Sequence, residues 1–329
     1  MKESGLRAVK PVRMSNFAVV TATSAEYFYF AQGLILSLKE RPETADIPIC
    51  VFDLGLNDEQ LRWLADVVQH VRKVEWECDF PGRDELPEHF KNLVARPHIP
   101  RYFPEYEIVM WMDADTWVQR PETLDLFRRG ASNKGFAVVP EVHPCYAGCL
   151  NRSSALRELA YKSYETAFGA EVASKYQSNA IINTGVWAMH RDSPLRPLWI
   201  ENLKNALQRT HYFMVEEMSF NYALYDNLDK FFPEYVQLLP ATCNWMCHQA
   251  LPMFDEASGL FVAPNLPHDP INVVHRTSDE LKGRGKVTLR TVQGNTHASS
   301  LEYRNGEYSR QKIAFAGWQA KDSDWAARG

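Results

Sequence analysis

The sequence predicts an α/β fold with a mixed, mostly parallel sheet that is flanked by helices. Over the first 115 residues, short apolar segments alternate with segments of helical spacing, which is typical of strand–helix–strand units in a parallel sheet. The chain has 329 residues and is 45% hydrophobic, enough to build one large packed core. Its net charge of −5 argues against a protein that binds nucleic acid through a basic surface.

The first part of the chain is predicted to contain four strands and three helical segments. Asn57 is a favourable helix N-cap, and Asp58 and Glu59 stand in the first turn that follows. Pro97 and Pro100 interrupt the third helical segment. The predicted strands cover residues 14–22, 45–54, 71–76 and 108–112, and the predicted helices cover residues 27–39, 57–68 and 91–103.

The rest of the chain continues the alternation and then changes in character. The predicted helices cover residues 123–129, 153–168, 193–209 and 216–228, and the predicted strands cover 135–140, 180–190, 235–239 and the short piece 272–275. From residue 283 onward the chain becomes basic, rich in turns and then aromatic. We therefore expect one domain over residues 14–282 and a C-terminal extension over 283–329. The extension either packs on the core or docks an acceptor or a membrane face through its basic and aromatic residues.

The sequence gives few signs of export or of membrane insertion. Residues 1–13 carry four basic side chains and no apolar core of a signal peptide, and no apolar run approaches the roughly 20 residues of a membrane helix. The prediction is a cytoplasmic protein, with peripheral contact at the inner membrane face as an added possibility. Two Cys-x3-Cys pairs, Cys145/Cys149 and Cys243/Cys247, lack the usual spacing of structural zinc sites, so reduced thiols are expected.

The motif Asp113-Ala114-Asp115 directly follows the apolar segment 108–112. Side chains alternate along a strand, so residues i and i+2 point to the same side and both carboxylates can reach one hard cation. In open α/β sheets, ligands bind at this carboxyl end of the strands. The structural alternative is that the two aspartates only cap the next turn.

Polar residues interrupt later apolar segments in the same way. Asn183 supplies an amide inside a strand, and Gly185 suggests a close approach of the backbone to a ligand; a bulge with a self-bonded Asn is the alternative. Glu216 and Glu217 begin a helix, where acidic residues also favour the helix dipole.

Three more positions complete the candidate set. Asn244 follows a strand that ends at a proline, His275 ends the apolar piece 272–275, and Lys282 comes seven residues later. A histidine at a strand end can complete a metal site with two carboxylates. Three aromatic residues are either sugar-stacking platforms or core residues: Tyr146, Trp187 and Trp245.

Taken in order, these segments resemble the retaining glycosyltransferases of family 8, which have the GT-A fold, a Rossmann-like architecture that binds nucleotide sugars. The resemblance spans roughly residues 17–282. Its landmarks are Tyr27 after the first strand, Arg96 ahead of the Asp-x-Asp motif, Asn183-Thr-Gly185-Val, Glu216-Glu217 with Asn221, Asn244-Trp and His275.

The resemblance implies roles for individual residues. Asp113, Asp115 and His275 would hold Mn²⁺ or Mg²⁺ against the diphosphate of a nucleotide sugar, with a UDP-sugar favoured. Glu217, Glu216 and Asn183 would surround the transferred sugar, where Glu217 either stabilises positive charge or attacks the anomeric carbon. The donor-binding residues would be Thr21, Ala22, Thr23, Tyr27, Arg96, Asp113, Ala114, Asp115, Gly185, Asn244 and Lys282.

The chain also departs from the family pattern. Ser24 or Ala25 stands where the family usually has an aspartate that meets the uracil, and Glu217 stands where it usually has a glutamine. The ending that carries the family's diphosphate-binding lysine is only partly matched by His275 and Lys282, with Arg276, Arg284 and Lys286 as alternative cations.

The sequence thus predicts a metal-dependent retaining glycosyltransferase that acts on a glycan or glycolipid acceptor in surface polysaccharide biosynthesis. One alternative is a non-catalytic carbohydrate- or nucleotide-binding protein on a degenerate transferase fold. A second is an Asp-x-Asp phosphatase, although Trp117 occupies the Thr/Val place of that motif. A third, a nucleotidyltransferase, would usually have a glycine-rich phosphate loop, and residues 21–31 contain no glycine.

Overall fold

The computed structural model describes residues 16–146 and 154–308. Within these residues, seven strands form the central sheet: β1 (Phe17–Thr23), β2 (Ile49–Asp53), β3 (His70–Lys73), β4 (Ile108–Met112), β6 (Phe136–Pro140), β7 (Ile182–His190) and β8 (Val236–Leu238). Their order is β3-β2-β1-β4-β7-β6-β8. All neighbouring pairs are parallel except the two that involve β7, which is antiparallel to β4 and β6. This mixed, mostly parallel sheet confirms the predicted fold class.

Helices cover both faces of the sheet. They are α1 (Phe28–Lys39), α2 (Asp58–Val67), α3 (Phe90–Ala95), α4 (Ile99–Tyr102), α5 (Thr123–Lys134), α6 (Ser154–Phe168), α7 (Ala170–Tyr176), α8 (Arg196–Leu207), α9 (Val215–Tyr225), α10 (Leu228–Phe231) and α11 (Asp279–Gly283). Alternation along β1 sends Phe17 and Val19 into a core shared with α1, α2 and α5. It sends Ala18 and Val20 into a second core shared with α3, α4, α8 and α9. The sheet is therefore buried on both sides, as the continuous apolar strands require.

A smaller sheet stands at the carboxyl end of β4. It contains β5 (Thr116–Val118), β12 (Val273–His275) and β9 (Trp245–Met246), with β12 in the middle. Two hairpins lie beside it, β10 (Met253–Asp255) with β11 (Leu260–Val262) and β13 (Val287–Arg290) with β14 (Thr296–Ser299). Leu289 and Leu301 join a third core with Trp117 and Trp245. The described part of the extension, residues 283–308, thus packs on the core, whereas residues 309–329 lie outside the described range.

Several predicted boundaries shift in the structure. The predicted helix 216–228 ends at Tyr225 and a separate short helix follows, while residues 91–103 divide into α3, a 3₁₀ turn at Arg96–His98 and α4. The predicted helix 123–129 extends to Lys134, where Gly135 ends it with a positive φ of 87°; this is the left-handed conformation that glycine adopts at helix ends. None of the described helices is long and apolar enough to cross a membrane.

The aromatic and cysteine side chains considered above are mostly core residues. Tyr146, Trp187 and Trp245 are each at most 1% exposed, so packing explains them and no surface is left on which a sugar could stack. Cys243 and Cys247 are buried free thiols, and Cys149 lies outside the described residues.

Candidate metal centre

Asp113 and Asp115 lie in a turn between β4 and β5, not on a strand. The turn is closed by the Thr116 N–H, which donates to the Asp113 carbonyl at 3.0 Å, and the Asp113 N–H donates to the Gly185 carbonyl of β7 at 2.8 Å. The prediction that strand alternation aligns the two carboxylates is therefore wrong in its geometry. The tight turn brings them together instead, because it directs both side chains toward the end of β12.

His275 closes the group. Its Nε2 lies 3.4 Å from Asp115 Oδ1 and 3.9 Å from Asp113 Oδ2, and one potential ligand atom from each of the three residues lies within 4.8 Å of the others. β12 pairs with β5 so that His275 stands opposite Thr116. The small sheet thus places the predicted histidine beside the predicted carboxylates.

A chain of amides fixes the ring of His275. Asn183 Oδ1 accepts hydrogen bonds from the Gly185 N–H and from Asn244 Nδ2, both at 2.9 Å. Because the Asn244 amide nitrogen is thereby committed, its Oδ1 faces His275 Nδ1 at 2.8 Å as an acceptor. The amide oxygen thus binds the imidazole at Nδ1, and Nε2 faces the two carboxylates. This is the arrangement that orients histidine ligands of metals.

Gly185 is required by close packing at the same point. A Cβ atom added there would lie 2.5 Å from His275 Cε1 and 2.8 Å from both Asn183 Oδ1 and Asp113 Oδ2. The strand pairing of β6 with β7 is irregular between Val138 and Val139. The bulge with a self-bonded Asn183 is therefore observed. The close approach at Gly185 is to the side chains of His275 and Asp113, and its approach to a ligand stays a prediction.

Two cations flank the aspartates. Arg96 donates to Asp113 Oδ1 at 2.7 Å and to Glu216 Oε2 at 2.9 Å. Lys282 Nζ lies 2.8 Å from Asp115 Oδ2. Burial alone would raise the pKa of Asp115, but Lys282 and His275 outweigh it and hold that pKa well below its usual range. Asp115 is thus an ionised carboxylate ready to face a cation.

A second group of acidic side chains lies behind Asn183. Its Nδ2 is 3.1 Å from Glu217 Oε2 and 3.4 Å from Glu141 Oε1, and Gln249 Nε2 donates to the other oxygen of Glu141 at 3.1 Å. Burial raises the pKa of Glu141 and of Glu216 to about 7. Burial, together with the charge of Glu141, also raises the pKa of Glu217 well above its usual value.

Glu141 and Gln249 are absent from the sequence prediction. Glu141 directly follows β6, the neighbour of β7, and the rule that selected Asp113, a polar residue at the end of an apolar strand, selects it too. Gln249 belongs to a turn after β9 and has no comparable signal in the sequence.

Other residues that were predicted to bind the nucleotide sugar lie next to the candidate metal ligands or in the core. Tyr27 is next to it, because Lys282 Nζ lies 5.4 Å from the centre of the Tyr27 ring. Ala114 packs against Phe30 and Ala31.

The β1 residues Thr21, Ala22 and Thr23 are at most 6% exposed. The structure shows them in β1 and records no contact between their side chains and the three candidate ligands, so their predicted role in donor binding stays a prediction.

Of the four described cations considered for the diphosphate, Lys282 is the one whose side chain pairs with a carboxylate of the candidate metal centre. Arg276 is buried against Glu302, and Arg284 pairs with the exposed Glu280; Lys286 is exposed.

The three candidate ligands fit a divalent cation. Two carboxylates and one imidazole nitrogen form a donor set rich in oxygen that suits Mg²⁺ or Mn²⁺, and the nitrogen favours Mn²⁺. Asp113 uses Oδ1 for Arg96 and for the Trp111 indole N–H, which leaves Oδ2 directed toward His275.

No family model matches the chain, and no curated protein matches it. Solved structures of glycosyltransferases do align with it. The galactosyltransferase LgtC in complex with donor and acceptor sugar analogs is 12% identical, with 80% of this chain and 87% of that chain covered and a TM-score of 0.47. Core-mannan synthase A from Aspergillus fumigatus in its Mn/GDP form is 11% identical, with coverages of 73% and 79% and a TM-score of 0.44.

The bifunctional glycosyltransferase WbbM is 18% identical, with a TM-score of 0.46, and the alignment covers 71% of this chain but only 40% of that one. The present chain therefore spans less than half the length of WbbM. All three identities are below 20%, and all three TM-scores are below 0.5.

Proposed function

We propose that the protein is a metal-dependent, retaining glycosyltransferase. It would move a sugar from a nucleotide sugar, with a UDP-sugar favoured, to a glycan or glycolipid acceptor. The observation that carries the proposal is the convergence of Asp113, Asp115 and His275, with the imidazole oriented by Asn244 and with Lys282 beside the carboxylates. Mn²⁺ or Mg²⁺ is the proposed cofactor.

The charges suit a diphosphate that is bound through a cation. The bound cation would act as a Lewis acid on the negative charge that develops when the bond between sugar and diphosphate breaks. Lys282 would add its positive charge to the same phosphates. Arg96 contacts Asp113, Glu216 and Thr184, so its proposed part is to hold these groups in place.

The carboxylates behind Asn183 suit the sugar side of the reaction. Cleavage of a glycosyl bond passes through a transition state of oxocarbenium character, which a nearby carboxylate stabilises. Glu217 accepts hydrogen bonds from Asn183 Nδ2 and from the Thr184 N–H at 3.1 and 3.2 Å, and we propose that its ionised form takes this role. Asn183 and Glu216 would hold its position. The place of action that we propose is the cytoplasmic synthesis of a surface polysaccharide, with peripheral membrane contact.

A thermal-shift screen tests the proposal. UDP, GDP, CDP and their sugars are each added with and without Mn²⁺, because a ligand that binds only the native state raises the melting temperature. The expected result is a Mn²⁺-dependent shift with one nucleotide that is lost in Asp115→Asn, followed by transfer or slow hydrolysis of the matching nucleotide sugar. Absence of any shift, or a shift without turnover of any nucleotide sugar, would instead support the non-catalytic binding protein.

A further inference from the structure

The extension after residue 283 contacts the segment that carries Lys282. Arg276 directly follows His275, the last residue of β12, and it is 3% exposed. Its guanidinium forms an ion pair with Glu302 and donates to the carbonyls of Leu281 and Arg284 at 2.6 and 2.5 Å. One buried side chain thus joins the end of β12, the end of α11 and the extension.

The carbonyls that Arg276 binds belong to Leu281 in α11 and to Arg284, the residue that follows the helix. The last carbonyls of a helix have no partner within the helix, and cationic side chains stabilise them. Lys282 stands in the last turn, and its Nζ reaches Asp115 Oδ2. Arg276 therefore fixes the backbone on both sides of Lys282, whose side chain reaches the candidate metal centre.

Glu302 is itself held in place. Its side chain is 8% exposed, and its second oxygen accepts a hydrogen bond from the Tyr29 hydroxyl at 2.5 Å. Gly306 has a φ of +75°, and a Cβ there would lie 2.2 Å from Glu302 Oε2. The Trp117 indole N–H donates to the Leu301 carbonyl at 2.9 Å. Both carboxylate oxygens of Glu302 therefore have partners. A buried charge held in this way fixes the position of Arg276, and its removal is costly.

We propose that Glu302 and Arg276 are positioning residues for the donor diphosphate and act through Lys282. The proposal rests on the proposed function. It gives residues 301–306 an indirect role in binding the donor. Loss of the ion pair should release the end of α11, so that Lys282 no longer meets the phosphates.

The test uses the full chain and compares Glu302→Gln, Arg276→Lys and the milder Tyr29→Phe with wild type. Calorimetry measures binding of UDP in the presence of Mn²⁺, and of Mn²⁺ alone. The matched control is Glu280→Gln on α11, because that side chain is 74% exposed and pairs only with Arg284 among the described residues. Lys282→Met, alone and combined with Glu302→Gln, completes a double-mutant cycle.

We expect Glu302→Gln and Arg276→Lys to weaken UDP binding about tenfold and Tyr29→Phe to weaken it less, with Glu280→Gln unchanged. Mn²⁺ alone should bind as tightly as in wild type or more tightly, because Lys282 then competes less for Asp115. In the double variant, Glu302→Gln should add little to the loss caused by Lys282→Met.

Three results would overturn the inference: unchanged UDP affinity in Glu302→Gln and Arg276→Lys, an equal loss of Mn²⁺ affinity, or full additivity with Lys282→Met. If Glu302→Gln does not fold, Tyr29→Phe and Arg276→Lys decide the question. If wild type itself binds none of UDP, GDP and CDP with Mn²⁺, the proposed function fails first, and this inference falls with it.

Discussion

The pKa values of the carboxyl groups are shifted in opposite directions at the two ends of the site. One end consists of the candidate metal ligands Asp113, Asp115 and His275 and is called the metal end. Asp115 is buried there beside Lys282 and His275, and its pKa is held well below its usual range. At the other end, Glu141 and Glu217 share the amide of Asn183 and face each other's charge, and their pKa values are raised. Burial acts in the same direction at both ends, so the neighbouring cations make the difference. Asp115 therefore stays ionised, whereas Glu141 and Glu217 hold their protons more tightly than an exposed glutamate does.

The largest expected effect comes from removing charge at the metal end. Asp115→Asn keeps the shape of the side chain but loses the anion that Lys282 and a cation require. We expect Mn²⁺ binding to be lost and sugar transfer to fall by about 10²–10³-fold or more. Mn²⁺ titration followed by paramagnetic resonance, together with initial rates, measures both. Transfer that persists at wild-type rate would exclude this carboxylate as a ligand of an essential metal.

Gly185→Ala should have the next largest effect. The added methyl group would meet His275 Cε1 at 2.5 Å and Asp113 Oδ2 at 2.8 Å, so the metal ligands must move apart. We expect Mn²⁺ affinity to fall about 10–100-fold and stability to fall by about 1–3 kcal/mol.

Gly285→Ala is the matched control for Gly185→Ala, because no heavy atom lies within 4 Å of a Cβ at that position. Denaturant unfolding and Mn²⁺ titration measure the two variants side by side. Equal behaviour of the two would show that the approach of β7 to the metal centre does not matter.

These positions show what the sequence can predict about the site. Asp113, Gly185 and His275 are each marked by a local contrast, a polar residue or a glycine at the end of or within an apolar segment, and the structure brings all three together. The turn at residues 113–116 was predicted only as the alternative in which the aspartates cap it, because a turn and a strand end look alike over four residues. The antiparallel direction of β7 also depends on pairing with distant strands.

The parts that were missed depend on contacts between distant segments. Glu141 and Glu217 meet only because β6 and α9 pack on β7, and Arg276 meets Glu302 across the hairpin β13–β14 that separates them in the chain. A buried ion pair between two ordinary charged residues has no local signature. The basic and turn-rich composition of the extension is visible in the sequence, but its contact with Arg276 beside the end of α11 follows from tertiary packing.

Asn244→Ala should have a moderate effect that is confined to the metal end. The side chain holds His275 Nδ1 at 2.8 Å and does not contact the carboxylates of Asp113 or Asp115. Without it the imidazole can rotate or change tautomer, and we expect Mn²⁺ affinity to fall about 10–100-fold. Asn244→Asp, which still accepts from Nδ1, should retain more of the affinity than Asn244→Ala. The reverse order, measured by the same titration, would contradict the proposed orientation of the ring.

The smallest effect concerns the other end of the site and is a dependence of stability on pH. Because burial raises the pKa of Glu141 from its ordinary 4.5 to about 7, the folded state holds this proton more tightly than the unfolded state. The resulting contribution to stability is fully present below pH 4.5 and is lost as the pH rises through about 7. Glu141→Gln removes this titration, and it also removes the negative charge that helps to raise the pKa of Glu217. The melting temperature of wild type minus that of Glu141→Gln should therefore fall by about 3 °C or more between pH 5 and pH 8. The exposed Glu280→Gln, measured as the control, should run parallel to wild type. A parallel profile for Glu141→Gln would mean that Glu141 titrates alike in the folded and unfolded chains, and the contrast between the two ends of the site would then be lost.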